Sequence, residues 1–201
     1  MRALGKAILS AALILAVASV TGCGSKTEPA PATEVSGENN EVGIANPWVE
    51  ITEEEADKLC PRMFKAPEGA SKLVWMKCES LGDPDKGTGP LIQLKFKLDG
   101  NEFTARAQYG ASEDDDISGI YAKWDVGPDD CTLANWGEGH MSGKSYGLVD
   151  DEGYTHLITW YDIEIGIKYS LSVTAADLDG FDIQGVAEQM YSADNEPDVG
   201  E

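Results

Sequence analysis

Residues 91–109 read LIQLKFKLDGNEFTARAQY. Ile92, Leu94, Phe96 and Leu98 alternate with Gln93, Lys95 and Lys97. Beyond Asp99-Gly100 the alternation resumes, with Phe103, Ala105, Ala107 and Tyr109 set against Glu102, Thr104, Arg106 and Gln108. A period of two belongs to a strand with one dry face and one wet face. Asp-Gly suits a type I′ turn, whose two central residues both take positive φ. The stretch predicts an antiparallel hairpin.

A second hairpin is expected downstream, from YTHLITWYDI into IKYSLSV with its turn at Glu164-Ile165-Gly166. Ile167, Tyr169, Leu171 and Val173 supply its apolar face. GIYAKWD, residues 119–125, reads as a further strand. The dry faces need cover. DIQGVAEQMYS offers it, because Ile183, Val186, Ala187, Met190 and Tyr191 fall at helical spacing behind a capping Asp182. Upstream, Thr52-Glu53-Glu54-Glu55 is a capping box, and Pro61 ends the helix near Cys60. The expected class is α+β: a curved antiparallel sheet of hairpins packed with a short N-terminal helix and a C-terminal helix, in one domain over residues 47–192.

NPWVEITEEEADKL, then MFKAPEGA, the paired hairpins and WYDIEIGIKYSLSV with LDGFDIQGVAEQM together resemble envelope proteins of Gram-positive gut bacteria. The family that they resemble is the domain of unknown function 4367. Its tryptophan strand, glycine turn, tyrosine strand and final helix fall on Trp160, Gly166, Tyr169 and residues 183–190. The likeness is fullest over the last third of the chain. It implies a lipoprotein or the extracellular part of a membrane regulator, and it carries over no catalytic residue.

The first residues point to the same place. Arg2 and Lys6 precede an uncharged run from Ala7 to Val20. As a helix that run would be roughly 21 Å long, short of the roughly 30 Å hydrocarbon core, so it reads as an export signal. Val20-Thr21-Gly22-Cys23 resembles a lipobox. The expectation is a signal peptide over 1–22, lipidation of Cys23 with palmitate-type chains, and stable anchoring through two or more of them. Ala16-Val17-Ala18 is the alternative, an ordinary cleavage site. Residues 24–46 are polar with no aromatic residue and no apolar period, a disordered tether expected to span roughly 25 Å. Residues 193–201 read as an acidic disordered tail.

The whole chain carries a net charge of −21. Loss of residues 1–22 would remove two bases and no acid. Such a chain is a poor nucleic-acid partner, and it is repelled from an anionic membrane surface despite an anchor. Beyond Cys23 the cysteines are Cys60, Cys78 and Cys131. They are either three small hydrophobes or one disulfide pair plus a thiol, and no spacing suggests zinc.

GEGHMSGKSYG, residues 137–147, imitates two motifs. Gly143-Lys144-Ser145 ends like a phosphate loop, but Glu138 stands where the loop's first glycine belongs. Gly143-Lys144-Ser145-Tyr146-Gly147 fits G-x-S-x-G, with Asp150, Asp151 and His156 following, yet the elbow needs a helix after the serine and a strand is expected instead. His140 and His156 are the only histidines. The stretch is expected to be a surface loop or hairpin, with Gly143 and Gly147 supplying permissive backbone angles. Glu113 to Asp116 offer carboxylates for calcium, and DPDKGTG starts like an EF-hand, but Thr88 and Leu94 occupy its glycine and glutamate positions. Of Trp48, Trp75, Trp124, Trp136 and Trp160, most should be core with hydrogen-bonded N–H groups, and Trp136 should be the accessible one. The resulting expectation is a membrane-anchored, extracytoplasmic lipoprotein that binds or senses without catalysis and takes no cofactor. Its partners would be an envelope protein or a wall-derived ligand. The alternatives are a serine hydrolase using Ser145 and a calcium-stabilised adhesive module.

Overall fold

The computed structural model describes residues 47–137, 141–150, 153–175 and 182–192. The signal, Cys23, the tether and the acidic tail lie outside them. No helix among the described residues is long and apolar enough to cross a membrane.

The hairpin of residues 91–109 forms as read. Strands β3 (Leu91–Leu98) and β4 (Asn101–Tyr109) pair antiparallel with Phe96 opposite Phe103, and Asp99 and Gly100 take φ of 50° and 86°. Their neighbours are β1 (Val49–Ile51), β2 (Ser71–Cys78), β5 (Val126–Leu133), β6 (Met141–Asp150), β7 (Gly153–Asp162) and β8 (Ile167–Ala175). All eight make one open, curved antiparallel sheet in the order β1-β2-β3-β4-β8-β7-β6-β5. Helices α1 (Glu53–Leu59) and α2 (Ile183–Gln189) complete the α+β architecture.

The register assigns every side chain to a face. Leu94 opposes Ala105, Ala105 opposes Leu171, and Leu171 opposes Ile158, so one apolar row crosses four strands. Phe64, Trp75, Trp136, Trp160, Tyr169 and Met190 pack over this face with the helices. Both helix caps are those expected. Glu55 N donates to Thr52 Oγ1 at 3.2 Å while Thr52 N donates back to Glu55 Oε2 at 2.9 Å, and Gly185 N donates to Asp182 Oδ1 at 2.8 Å.

The second face departs from the expectation of a wet surface. It carries Gln93, Arg106, Gln108, Lys168 and Ser170, of which all but Arg106 are buried. Two connections cover it: the loop between β2 and β3, whose Leu81 O and Gly89 O accept from Gln108 Nε2, and the connection from β4 to β5. Because β4 pairs with β8 and β5 lies at the far edge, residues 110–125 must cross β8, β7 and β6, and they do so over this face. This crossing segment forms a strap. Arg106 Nη1 donates to Ile117 O at 3.0 Å, Lys168 Nζ donates to Glu113 O at 2.6 Å, and Trp124 packs on Tyr146. Ile117 joins Cys78, Leu91 and Trp48 in a small second core.

Residues 119–125, expected as a strand, belong to this strap and pair in no ladder. The alternation that suggested a strand is genuine: Ile120, Ala122 and Trp124 are partly buried while Tyr121, Lys123 and Asp125 are exposed. It arises because an extended chain lies on a sheet face, turning every second side chain inward. The strand next along is β5. Its Pro128, Asp129 and Asp130 conceal it in the sequence, and it tolerates them because it is an edge strand with a register shift between Val126 and Asp129.

The thiols of Cys60, Cys78 and Cys131 are all free. Cys60 and Cys78 are buried, and burial pushes the Cys60 pKa up to about 12.

Candidate functional site

Of the loop or hairpin expected for GEGHMSGKSYG, the structure has the hairpin alternative: Met141–Asp150 is a full strand, β6, paired antiparallel with the preceding β5. Gly143 and Gly147 sit in ordinary extended backbone and serve close packing instead of turning. A Cβ on Gly143 would lie 2.9 Å from Cys131 Sγ and 3.1 Å from Thr159 O. Glycine removed the apolar alternation by which this strand would have been read. Glu138, Gly139, His140, Asp151 and the side chain of Asp150 lie outside the described residues. Ser145 is mid-strand opposite Ile158, and His156 opposes Gly147, one diagonal away. A nucleophile elbow needs a strand-to-helix turn, and here β6 runs on through Ser145 for five more residues. We expect Ser145→Ala to change stability by no more than about 0.5 kcal/mol and a fluorophosphonate probe to leave the wild type unlabelled. Labelling that the substitution abolishes would establish a serine nucleophile.

Trp136 is also corrected. It is 0 % exposed, its Nε1 donates to Ala187 O at 3.1 Å, and its ring meets Trp160, Tyr169 and Tyr191 edge-on. Trp75 and Trp160 are core as expected, but their buried Nε1 atoms have no hydrogen-bond acceptor among the described residues. The turn bearing Trp136 is clasped to α2, because the Glu188 carboxylate accepts from both Ala134 N and Asn135 N. This contact draws NWG inward, and its partner lies more than fifty residues away, so local sequence gave no sign of it.

The acidic run Glu113–Asp116 acquires a structural role. Lys168 is 7 % exposed beneath it. Burial lowers the Lys168 pKa, and the four carboxylates raise it again. Asp115 Oδ2 accepts from Ser112 N, and Asp116 Oδ1 accepts from Ser118 N and Oγ. In DPDKGTG, Asp83 pairs with Lys86 at 3.0 Å in a tight turn. Among the described residues no three His, Cys, Asp or Glu side chains are grouped to hold a metal.

Two grooves flank the strap. The first, about 660 Å³, has Arg106 and Gln108 in its floor and Leu81 and Tyr121 at its rim. Its polar groups are spent on holding loops. Arg106 donates to Gln93 and Ile117 and lies 5.1 Å from the Trp48 ring centroid, and Gln108 Nε2 donates to Leu81 O and Gly89 O.

The second groove, about 360 Å³, lies between the acidic run and strands β6 and β7. Trp124 and Tyr146 meet at its mouth with centroids 5.4 Å apart and planes tilted by 44°. Lys144, Thr159 and Tyr161 continue along the floor toward Lys168. Lys144 is paired with Asp130. The hydroxyls of Ser142, Tyr146, Thr159 and Tyr161 bond to no other side chain or backbone group among the described residues. This groove therefore keeps both apolar and hydrogen-bonding surface uncommitted, which the first does not. Trp124 and the acidic run were each visible in the sequence. Their convergence with Tyr146 and Tyr161 was not, because it requires the strap to cross the sheet.

No family model, curated protein or solved structure matches the chain.

Proposed function

We propose that this protein is a lipid-anchored, extracytoplasmic binding or sensing module without catalytic activity. The observation that carries the binding half is the second groove. Its volume, about 360 Å³, falls within the roughly 300–1,000 Å³ of small-ligand sites. Among the described residues it combines aromatic rings with hydroxyls that have no protein partner, and no histidine or cysteine lines it. The anchoring half rests on the basic start, the apolar run and Val20-Thr21-Gly22-Cys23. The resemblance to the domain of unknown function 4367 agrees with an envelope location.

Two measurements test this reading. Wild-type protein is expected in the membrane fraction, with Cys23→Ala released or left unprocessed; equal membrane association of the two removes the anchor. The unlipidated Cys23→Ala chain, once released, is expected to sediment with isolated cell-wall material freed of membrane. Adding Trp124→Ala and Tyr146→Ala should abolish that retention, and retention indifferent to both changes removes the groove.

A further inference from the structure

We propose that the groove between the strap and strands β6 and β7 binds a short oligosaccharide. The inference deepens the binding reading above and rests on it.

The lining carries both signs, Glu113 to Asp116 on one side and on the other Lys144, itself paired with Asp130, and the buried Lys168, so it is not built for a simple anion. A sugar hydroxyl donates and accepts at once, so carboxylates, ammonium groups and the free hydroxyls of Ser142, Thr159 and Tyr161 can each find a match on the same ligand. The ring faces of Trp124 and Tyr146 supply what hydroxyl recognition lacks, an apolar platform for the C–H face of a pyranose. Tilted by 44° at 5.4 Å, they form a corner open to the groove, where a flat stack would leave one face.

The floor is also elongated. Tyr146 opposes Leu157, and Tyr161 stands four residues further along the same strand. At about 3.3 Å per residue the two aromatic ends are roughly 13 Å apart, with Lys144 and Thr159 between them. Aromatic, polar, aromatic along a straight strand suits a chain of linked rings better than a single compact molecule. The sheet holds these side chains before any ligand arrives, which limits the ordering cost of binding.

The test uses the full Cys23→Ala chain, titrated with chitotriose, cellotriose and maltotriose. Tryptophan fluorescence and saturation-transfer NMR are the readouts, with spermidine and citrate as cationic and anionic probes. At least one trisaccharide should bind saturably, with transfer to sugar C–H protons. Trp124→Ala and Tyr146→Ser should each weaken it tenfold or more, while Ile163→Ala, an exposed site on the β7–β8 turn, leaves it unchanged. Circular dichroism confirms that each variant is folded. Absence of saturable binding to all three sugars overturns the proposal, as does sugar binding that both groove variants preserve, or saturable binding of spermidine or citrate alone. Sugar failure with groove-dependent envelope retention intact would overturn this inference and leave the binding reading standing; loss of both would end both.

Discussion

Trp136→Ala is expected to lower stability by about 3–5 kcal/mol, the range for truncating a fully buried tryptophan. Set against a typical total of about 5–15 kcal/mol, that is about a fifth of the stability at the least, and the melting temperature should fall by about 10–20 °C. The ring lies 5.2 Å from Trp160 and 5.0 Å from Tyr169, and those two stack on each other at 5.1 Å. Removing Trp136 opens a cavity against both of them and deprives Ala187 O of its indole donor. It also loosens the turn that Glu188 clasps, so α2 should lose protection from amide exchange before the hairpin of β3 and β4 does. Trp136→Phe, which keeps most of the packing and loses the N–H, should fall between. Trp124→Ala is the control, since that side chain is only partly buried. If the two alanine variants melt together, the central place of Trp136 in the core is wrong.

Gly110→Ala should cost about 2–3 kcal/mol, from a positive-φ penalty of about 1–2 kcal/mol plus a backbone overlap. Gly110 takes φ of 74°, and a Cβ there would lie 2.3 Å from Gly87 O. Gly110 is where the chain leaves β4 and becomes the strap. Its N–H donates to Gly166 O at 2.8 Å, and its carbonyl accepts from Thr88 Oγ1 at 3.1 Å, so three turns meet at this residue. No flexible side chain can move aside to admit the methyl group. Gly100→Ala separates the two contributions. Gly100 takes φ of 86°, but a Cβ there meets nothing within 4 Å, so that variant should show the conformational penalty alone. Chemical denaturation of the two compares them directly. Equal losses would show that the Gly87 contact relaxes freely and that the pivot is not tight.

Much of the local structure was legible because its causes are local. Thr52 and Glu55 are three residues apart and satisfy each other's backbone groups whatever surrounds them. Asp99-Gly100 sets its turn through its own φ preferences, and the alternation on either side sets the faces. The hairpin around Gly166 and the helix behind Asp182 follow in the same way. Together these elements determined the α+β class and the pairing of strands adjacent in sequence.

What only the tertiary structure decided are relations between distant residues. That β4 pairs with β8 cannot be read from either strand, since alternating apolar faces pair with any partner of matching length. Once that pairing is made, residues 110–125 have to cross the sheet. The crossing buries Lys168, gives Glu113 to Asp116 a countercharge, and brings Trp124 onto Tyr146. Gly143 concealed a strand because its packing role depends on Cys131 and Thr159. Trp136 looked exposed because the helix that covers it starts forty-seven residues later, at Ile183. Period and turn chemistry act over a few residues and are written in the sequence, whereas the groove exists only where three separate segments are packed together.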